Sequence, residues 1–560
     1  MEKKSEISIV LSGAAGQGIQ AVEHILTRVA KDSGFHVFAT KEYMSRVRGG
    51  NNSTEIRISS QPVKAYVDRI DILVPLNDNA IERLRPRITE ETIILGEKKY
   101  VENEKNSVGI LLEEIAESFG NKIYENSVAI GILAGIINAD EDALVNNIKV
   151  YFSKKSEEVI KANVNAALKG YEIGKSLDLR FEITPSNEVK KQYLLNGSEA
   201  VAKGAIAGGC NFISSYPMSP ATTVFTELSR LSKQYGILVD QAEDEIAAAN
   251  MAIAAWYAGA RAMVSTSGGG FALMTEAISL SGMIETPIVV HLGQRPGPAT
   301  GLPTRTEQGD LNLVLYAGHG DFPRIIYAPG NLCEAYELSA KAFNMADKYQ
   351  VPVFILTDQY FLDSFYNVDE MPQVKIERYI VKTDENYKRY TLTEDGISPR
   401  GIPGYGNGLV RVDSDEHDEY GHITESAEVR RKMVEKRLKK MEKIIQDAVP
   451  PKLFGSENYK YLIVTWGSTQ LIVKEALEKL GNKDVAMLHF SQVYPVPPIA
   501  ESYLKKAQKV IFLEQNATGQ FANLIKLTFD GVDTRRRILK YDGFPFSVEQ
   551  VMEAISKEVE

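Results

Sequence analysis

DQAEDEIAAANMAIAAWYAGARAMVSTSGGG, from Asp240 to Gly270, places acids at the mouth of a helix that is otherwise almost wholly apolar. Glu243, Asp244 and Glu245 fall where the first turn should begin, and the alanine-rich run behind them has few groups that could offset a buried charge. Acids near a helix N-terminus are favoured by the dipole, so taken alone the pattern is also what a solvated first turn produces. A β-like segment, Ala262 to Thr266, leads into the serine and glycine run Ser265 to Gly270. Helix, strand and glycine turn together make an α/β unit.

The neighbours on either side extend this reading. Upstream, Ser214-Ser215-Tyr216-Pro217-Met218-Ser219-Pro220 follows the apolar Cys210 to Ile213, its two prolines fixing a rigid turn. Downstream, the strand Pro287 to Leu292 opens into a long polar loop, GQRPGPATGLPTRT, from Gly293 to Thr306. Polar loops at successive strand ends converge on one crevice in open α/β sheets, where ligands bind.

These motifs resemble those of the α subunit of 2-oxoacid:ferredoxin oxidoreductases, of the type with the γ domain fused at its N-terminus. The family's Tyr-Pro-Ile-Thr-Pro turn appears as YPMSP, its pyrimidine-side helix as QAEDEIAAANMAIAAWYAGARA and its substrate loop as RPGPATGLPTRTEQGDL. Ser219 stands where the family usually has threonine, which keeps the hydroxyl and loses a methyl. The resemblance covers nearly the whole chain.

Length and composition suit a soluble globular protein of several units. At 560 residues the chain is too long for one core. A net charge of −10 argues against nucleic acid or an anionic membrane as the main partner. No stretch reaches the roughly 18 to 20 apolar residues a membrane span needs. The start, MEKKSEISIVLSG, runs directly into a strand and glycine turn with no signal-like apolar region, so a reducing cytoplasm is expected. Cys210 and Cys333 are the only cysteines, too few to ligate a cubane iron–sulfur cluster with the usual four thiolates.

In chain order, the fold class expected is multidomain α/β with parallel-sheet units. Residues 1–183 read as a Rossmann-like γ domain. Its first strand, Ile7 to Leu11, is followed by Gly13, Gly16 and Gly18 and the helix Ile19 to Ser33, a geometry that can cradle phosphate on backbone N–H groups. Lys41, Arg46 and Arg48 cluster near a glycine pair. The resemblance associates this domain with coenzyme A, which would set Gly13, Gly16, Gly18, Arg46 and Arg48 near its phosphates. Residues 190–366 read as a thiamine diphosphate pyrimidine-binding domain, 367–455 as a connecting segment and 456–560 as a transketolase C-terminal-like domain. The acidic run Asp413 to His422 within the connecting segment matches no metal motif and reads as a solvated loop; no metal site is expected in this chain.

The resemblance also implies the chemistry. Thiamine diphosphate needs a glutamate against its aminopyrimidine and a Gly-Asp-Gly loop for the Mg²⁺ of its diphosphate. No Gly-Asp-Gly occurs here, so the chain carries half of a site. Glu245 fits the glutamate best, by the E-x-A-A-x-x-M-A register after it, and Glu243 second. The other half, with Mg²⁺ and [4Fe–4S] clusters, is expected in a β subunit of a hetero-oligomer, with ferredoxin as acceptor. The implied reaction is oxidative decarboxylation of a 2-oxoacid to acyl-CoA and CO₂. Arg295 is the residue expected to meet the substrate carboxylate, with Tyr216, Ser219 and Thr304 as further contacts and Arg305 a candidate for a distal carboxylate. A fused γα chain favours 2-oxoglutarate; pyruvate or branched-chain 2-oxoacids, or a non-catalytic coenzyme A or nucleotide-binding assembly subunit, are the alternatives.

Overall fold

The computed structural model describes residues 4–14, 16–44, 50–177, 179 and 181–559. Contacts divide the chain into two units: 1–196 with 363–370 and 547–549, and 197–362 with 371–546 and 550–560.

The first unit is built on an eight-stranded sheet in the order Ser107–Ile110, Ile93–Glu97, Ile72–Pro75, Glu6–Gly13, Asn52–Ser59, His36–Glu42, Phe365–Val368, Tyr193–Asn196. Ile7, Ile9, Leu11, Val37, Ile56 and Ile58 bury its central strands completely or nearly so, against Val22, Leu26 and Val29 of the helix Ile19–Ser33. The strands from Glu6–Gly13 to Ser107–Ile110 are parallel, as expected. The other side of the sheet departs from the expectation: Asn52–Ser59 runs antiparallel to both Glu6–Gly13 and His36–Glu42. The reason is connection length. Nine residues separate Glu42 from Asn52, whereas a parallel crossover takes a dozen or more. Phe365–Val368 and Tyr193–Asn196 extend this antiparallel side, with the Asn367 side-chain oxygen accepting from the N–H of Val37 at 2.6 Å.

The second unit carries two sheets. The seven-stranded sheet runs Gln492–Tyr494, Ile325–Tyr327, Pro352–Asp358, Ile288–Gln294, Ala262–Thr266, Phe212–Ser215, Leu238–Gln241. All its pairs are parallel except the first. Both faces of such a sheet are covered, and its strands read as continuous apolar runs for that reason. The five-stranded sheet runs Lys452–Gly455, Val485–Phe490, Tyr461–Trp466, Lys509–Glu514, Arg537–Leu539.

The segment after residue 370 has little regular structure until the helix Ala427–Gln446. That helix docks through a buried charge cluster, with Lys436 Nζ 2.7 Å and Lys440 Nζ 2.5 Å from the Glu285 carboxylate. Burial raises the Glu285 carboxyl, but Lys436, Lys440 and Arg389 outweigh it and hold it well below the usual carboxylate range; burial, against Glu285, brings Lys440 down to about 8. The Asp413–His422 run is not a purely solvated loop. His417 is fully buried, its ring 3.9 Å from that of Tyr390. Among the described residues no helix is long and apolar enough to cross a membrane.

Candidate active site

The site lies at the carboxyl ends of the seven-stranded sheet, where side chains link adjacent strands. Ser265 N–H donates to Ser215 Oγ at 2.9 Å, Ser265 Oγ lies 2.8 Å from His291 Nδ1, and His291 Nε2 lies 2.9 Å from Thr357 Oγ1. Burial pushes His291 down to about 3, so its ring is neutral and serves as a strut.

Of the three acids at the mouth of the helix, Glu243, Asp244 and Glu245, only one turns inward. Asp244 is the N-cap of the helix Glu245–Tyr257, accepting from the N–H of Ala247 at 2.8 Å, and Glu243 is exposed. Glu245 is 4% exposed and its Oε1 has no hydrogen-bond partner. The carboxyl lies against the Thr266–Gly270 turn: a Cβ at Gly270 would sit 2.6 Å from Glu245 Oε1 and 3.0 Å from its Cγ. Only glycine leaves that space.

The two flanking loops close on the same turn. A Cβ at Gly269 would meet Ala299 O at 3.7 Å and Met218 Sδ at 3.9 Å, so the Tyr216–Pro220 turn, the 295–305 loop and the glycine turn come together. Arg295 Nη1 donates to the Ser219 carbonyl at 2.6 Å, joining two of the residues singled out from sequence. Arg295 Nε is buried without a partner. Burial pulls the Arg295 guanidinium below its usual value, opposed by the charge of Asp310. Tyr216 and Ser219 are exposed and Thr304 is half-buried on this rim. Arg305 stacks on the Phe544 ring at 4.6 Å, held by the C-terminal sheet layer.

That layer also braces the loop beyond Arg305. Gln308 Oε1 accepts from Gln515 N–H at 3.0 Å, Gln308 Nε2 donates to Trp466 O at 2.8 Å, and the N–H of Gln308 reaches Gln515 O at 2.7 Å. Thr306 Oγ1 donates to the buried Asp358 at 3.0 Å. In the sequence TEQGDL reads only as part of the substrate loop; its anchors, Thr306, Gln308 and Asp310, are legible only with their partners in place.

The N-terminal glycine turn is filled from within the chain. Gln17 Oε1 accepts from the N–H of Ala14 at 2.5 Å and from Asn77 at 3.0 Å, and a Cβ at Gly13 would meet that oxygen at 2.6 Å. Gly16 and Gly18 have positive φ, 93° and 81°, the latter at the N-cap of the helix. Glu97, Glu113 and Glu125 line the adjoining cavity of about 320 Å³, with Lys122 the cation among its lining residues. Lys41 lies 3.7 Å from Asp363, and Arg46 and Arg48 fall outside the described residues.

Comparison with known proteins agrees with this geometry. The profile of the family described as "Pyruvate flavodoxin/ferredoxin oxidoreductase, thiamine diP-bdg" matches residues 203–436, and that of "Pyruvate ferredoxin/flavodoxin oxidoreductase" matches residues 8–173. Fold and site therefore define an α/β oxidoreductase subunit with a thiamine diphosphate-binding domain. A 2-oxoacid:ferredoxin oxidoreductase subunit alpha from Sulfolobus sp is 33% identical over 99% of this chain and 97% of its own length. A 2-oxoglutarate synthase subunit KorA from Methanocaldococcus jannaschii is 34% identical over 58% of this chain and 89% of its own. The solved 2-oxoglutarate:ferredoxin oxidoreductase from Magnetococcus marinus, with 2-oxoglutarate, coenzyme A and succinyl-CoA bound, superposes with a TM-score of 0.93 at 30% identity over the whole of both chains. The chain belongs to the family of 2-oxoacid:ferredoxin oxidoreductase alpha subunits, and the expected family and multidomain α/β class are borne out.

Proposed function

We propose that this subunit, assembled with a β subunit in the cytoplasm, oxidatively decarboxylates 2-oxoglutarate to succinyl-CoA and CO₂ and passes the electrons to ferredoxin. The observation that carries the reading is a set of four buried polar atoms without partners around one glycine turn: Glu245 Oε1, Ser267 Oγ, Arg295 Nε and Asp310 Oδ2. An unmade buried hydrogen bond costs about 1–3 kcal/mol, so such a group in one crevice implies a polar ligand.

The residues fit the aminopyrimidine end of thiamine diphosphate: a buried carboxyl with one open oxygen, above a turn cleared by glycine. When bound, that cofactor supplies the carbanion chemistry. Glu245 would hold a proton at Oε1 against the ring nitrogen. Arg295 would receive the 2-oxoacid carboxylate on its guanidinium fork, a planar match for that anion. Ser219 and Thr304 would add hydroxyl contacts, Tyr216 would line the entrance, and Gln308 and Phe544 would hold the loop so that these groups stay aligned.

The rest of the site belongs to a partner. The absence of a Gly-Asp-Gly loop supports placing Mg²⁺ and the diphosphate on the β subunit, and a count of two cysteines supports placing the [4Fe–4S] clusters there too. Tyr216, Ile246, Leu273 and Leu302 on the site's loops and helices are 41–53% exposed, an apolar rim suited to cover by another chain. The bound ligands of the Magnetococcus marinus relative support 2-oxoglutarate and coenzyme A; for the coenzyme A phosphates our choice remains Gly13, Gly16, Gly18, Arg46 and Arg48, the last two outside the described residues.

The test is co-purification with the β subunit and a screen of 2-oxoacids for coenzyme A-dependent reduction of a low-potential dye. Turnover that needs both chains, prefers 2-oxoglutarate and collapses in Arg295→Ala supports the reading. No electrons from any 2-oxoacid would leave a binding subunit in its place.

A further inference from the structure

We propose that Gln520 is a positioning residue for the cofactor end of the crevice: its side-chain amide takes over the start of the helix Leu311–Tyr316, which leaves the Asp310 carboxyl against the glycine turn to meet a donor group of thiamine diphosphate. The inference deepens the proposed function and rests on it.

Asp310 occupies the N-cap of that helix, where an aspartate ordinarily accepts the first free N–H groups. Here it makes no such bond. Gln520 serves in its place from the C-terminal layer: its Oε1 accepts from the N–H of Asn312 at 2.9 Å, and its Nε2 donates to the Gly309 carbonyl at 2.7 Å. The two bonds straddle Asp310. The Asp310 N–H is held by Gln294 Oε1 at 3.1 Å, and the side chain turns to the glycine turn, where a Cβ at Gly268 would lie 2.6 Å from its Cγ and 2.5 Å from Oδ2. Oδ2 is buried without a partner.

Gln520 can hold this place because its own backbone is fixed. It opens the helix Gln520–Thr528 and closes the stretch EQNATGQ, residues 514–520. Asn516 Oδ1 accepts from the N–H groups of Thr518, Gly519 and Gln520 at 3.2, 2.8 and 3.3 Å. The fully buried Glu514 accepts from the next two, Phe521 and Ala522, each at 2.9 Å, and from Trp466 Nε1 at 3.2 Å. A side chain that leaves so fixed a backbone has its reach decided in advance.

The ligand that suits Asp310 follows from what a carboxyl can meet. A 2-oxoacid at neutral pH presents acceptors and carboxylate charge, which a second carboxylate repels. Thiamine diphosphate presents an exocyclic amine and a thiazolium cation at its ring end, and a carboxylate stabilises either. Glu245 lies against Gly270, two residues along the same turn from Gly268, so both carboxyls border the turn proposed to seat that ring end.

The experiment uses the assembled complex stripped of cofactor, with thiamine diphosphate and Mg²⁺ titrated back and binding read by calorimetry in the absence of substrate. Gln520→Met and Asp310→Ala should each weaken binding about tenfold. The double variant should be no weaker than either, because Gln520 acts through Asp310. Gln520→Glu, which keeps the acceptor for the Asn312 N–H, should bind close to the parent; a loss there as large as in Gln520→Met overturns the proposal, whether or not Gln520→Met assembles. Parental affinity in Asp310→Ala overturns it too, and losses that add in the double variant make Gln520 a structural bond only. A parent complex that binds no thiamine diphosphate defeats the proposed function first and this inference with it, whereas variants that match a binding parent defeat this inference alone.

Discussion

Replacing Glu245 by glutamine separates a catalytic carboxyl from a first-turn charge. The cap of its helix is already made by Asp244, so Glu245 is not needed to start the helix. Burying its carboxyl with Oε1 unpartnered costs about 1–3 kcal/mol, while the helix dipole returns about 0.3–1 kcal/mol. Glutamine has the same length and no charge, so the folded chain without cofactor should be as stable or more stable by up to about 2 kcal/mol. Loss of a positioned proton-holding group should lower turnover by about 100- to 10,000-fold, or roughly 3–5 kcal/mol of barrier. The assay is coenzyme A-dependent dye reduction by the assembled complex at saturating thiamine diphosphate, with melting temperature read on the same preparation. A variant that melts several degrees lower yet turns over normally would sink the argument, because it would make Glu245 a structural charge.

Further outcomes follow from neighbouring contacts. Gly270→Ala gains helix propensity but drives a methyl against Glu245, so turnover should fall by about 100-fold with stability changed by no more than about 2 kcal/mol; unchanged kinetics would mean the carboxyl has room to move. Gln308→Ala strips partners from the N–H of Gln515 and the carbonyl of Trp466, both buried, and should cost about 2–3 kcal/mol in denaturant unfolding while raising KM for the 2-oxoacid. Glu285→Ala leaves Lys436 and Lys440 buried without their anion, a loss of about 3–5 kcal/mol that melting experiments would detect. His291 and His489, pushed by burial down to about 3 and about 4, are neutral in the folded chain. Because their folded values lie below the unfolded one, the unfolded chain binds more protons below pH 6.5. Stability should therefore fall between pH 6.5 and 4 by about 1.4 kcal/mol per unit for each, and His291→Asn should flatten that slope.

Local pattern determined the elements. The helix Ile19–Ser33 and the strand Ala262–Thr266 run as the apolar pattern and the glycines beside them predict, because those signals act over a few residues. Glu245 was legible for the same reason, as one acid in register with an alanine-rich face. Arg295, Ser219 and their loops came from motifs, and a motif names a residue without saying what it touches. Tertiary structure alone decided which acid turns inward, that Asp310 leaves its own helix to face Gly268, that Phe544 holds Arg305 from more than two hundred residues away, and that His417 in an acidic run is core. It also decided that Tyr193–Asn196 and Phe365–Val368 finish the N-terminal sheet. Each of these depends on burial and pairing between segments distant in sequence, where the energy of a charge or a strand edge is set by what arrives from elsewhere in the fold and leaves no trace in the local pattern.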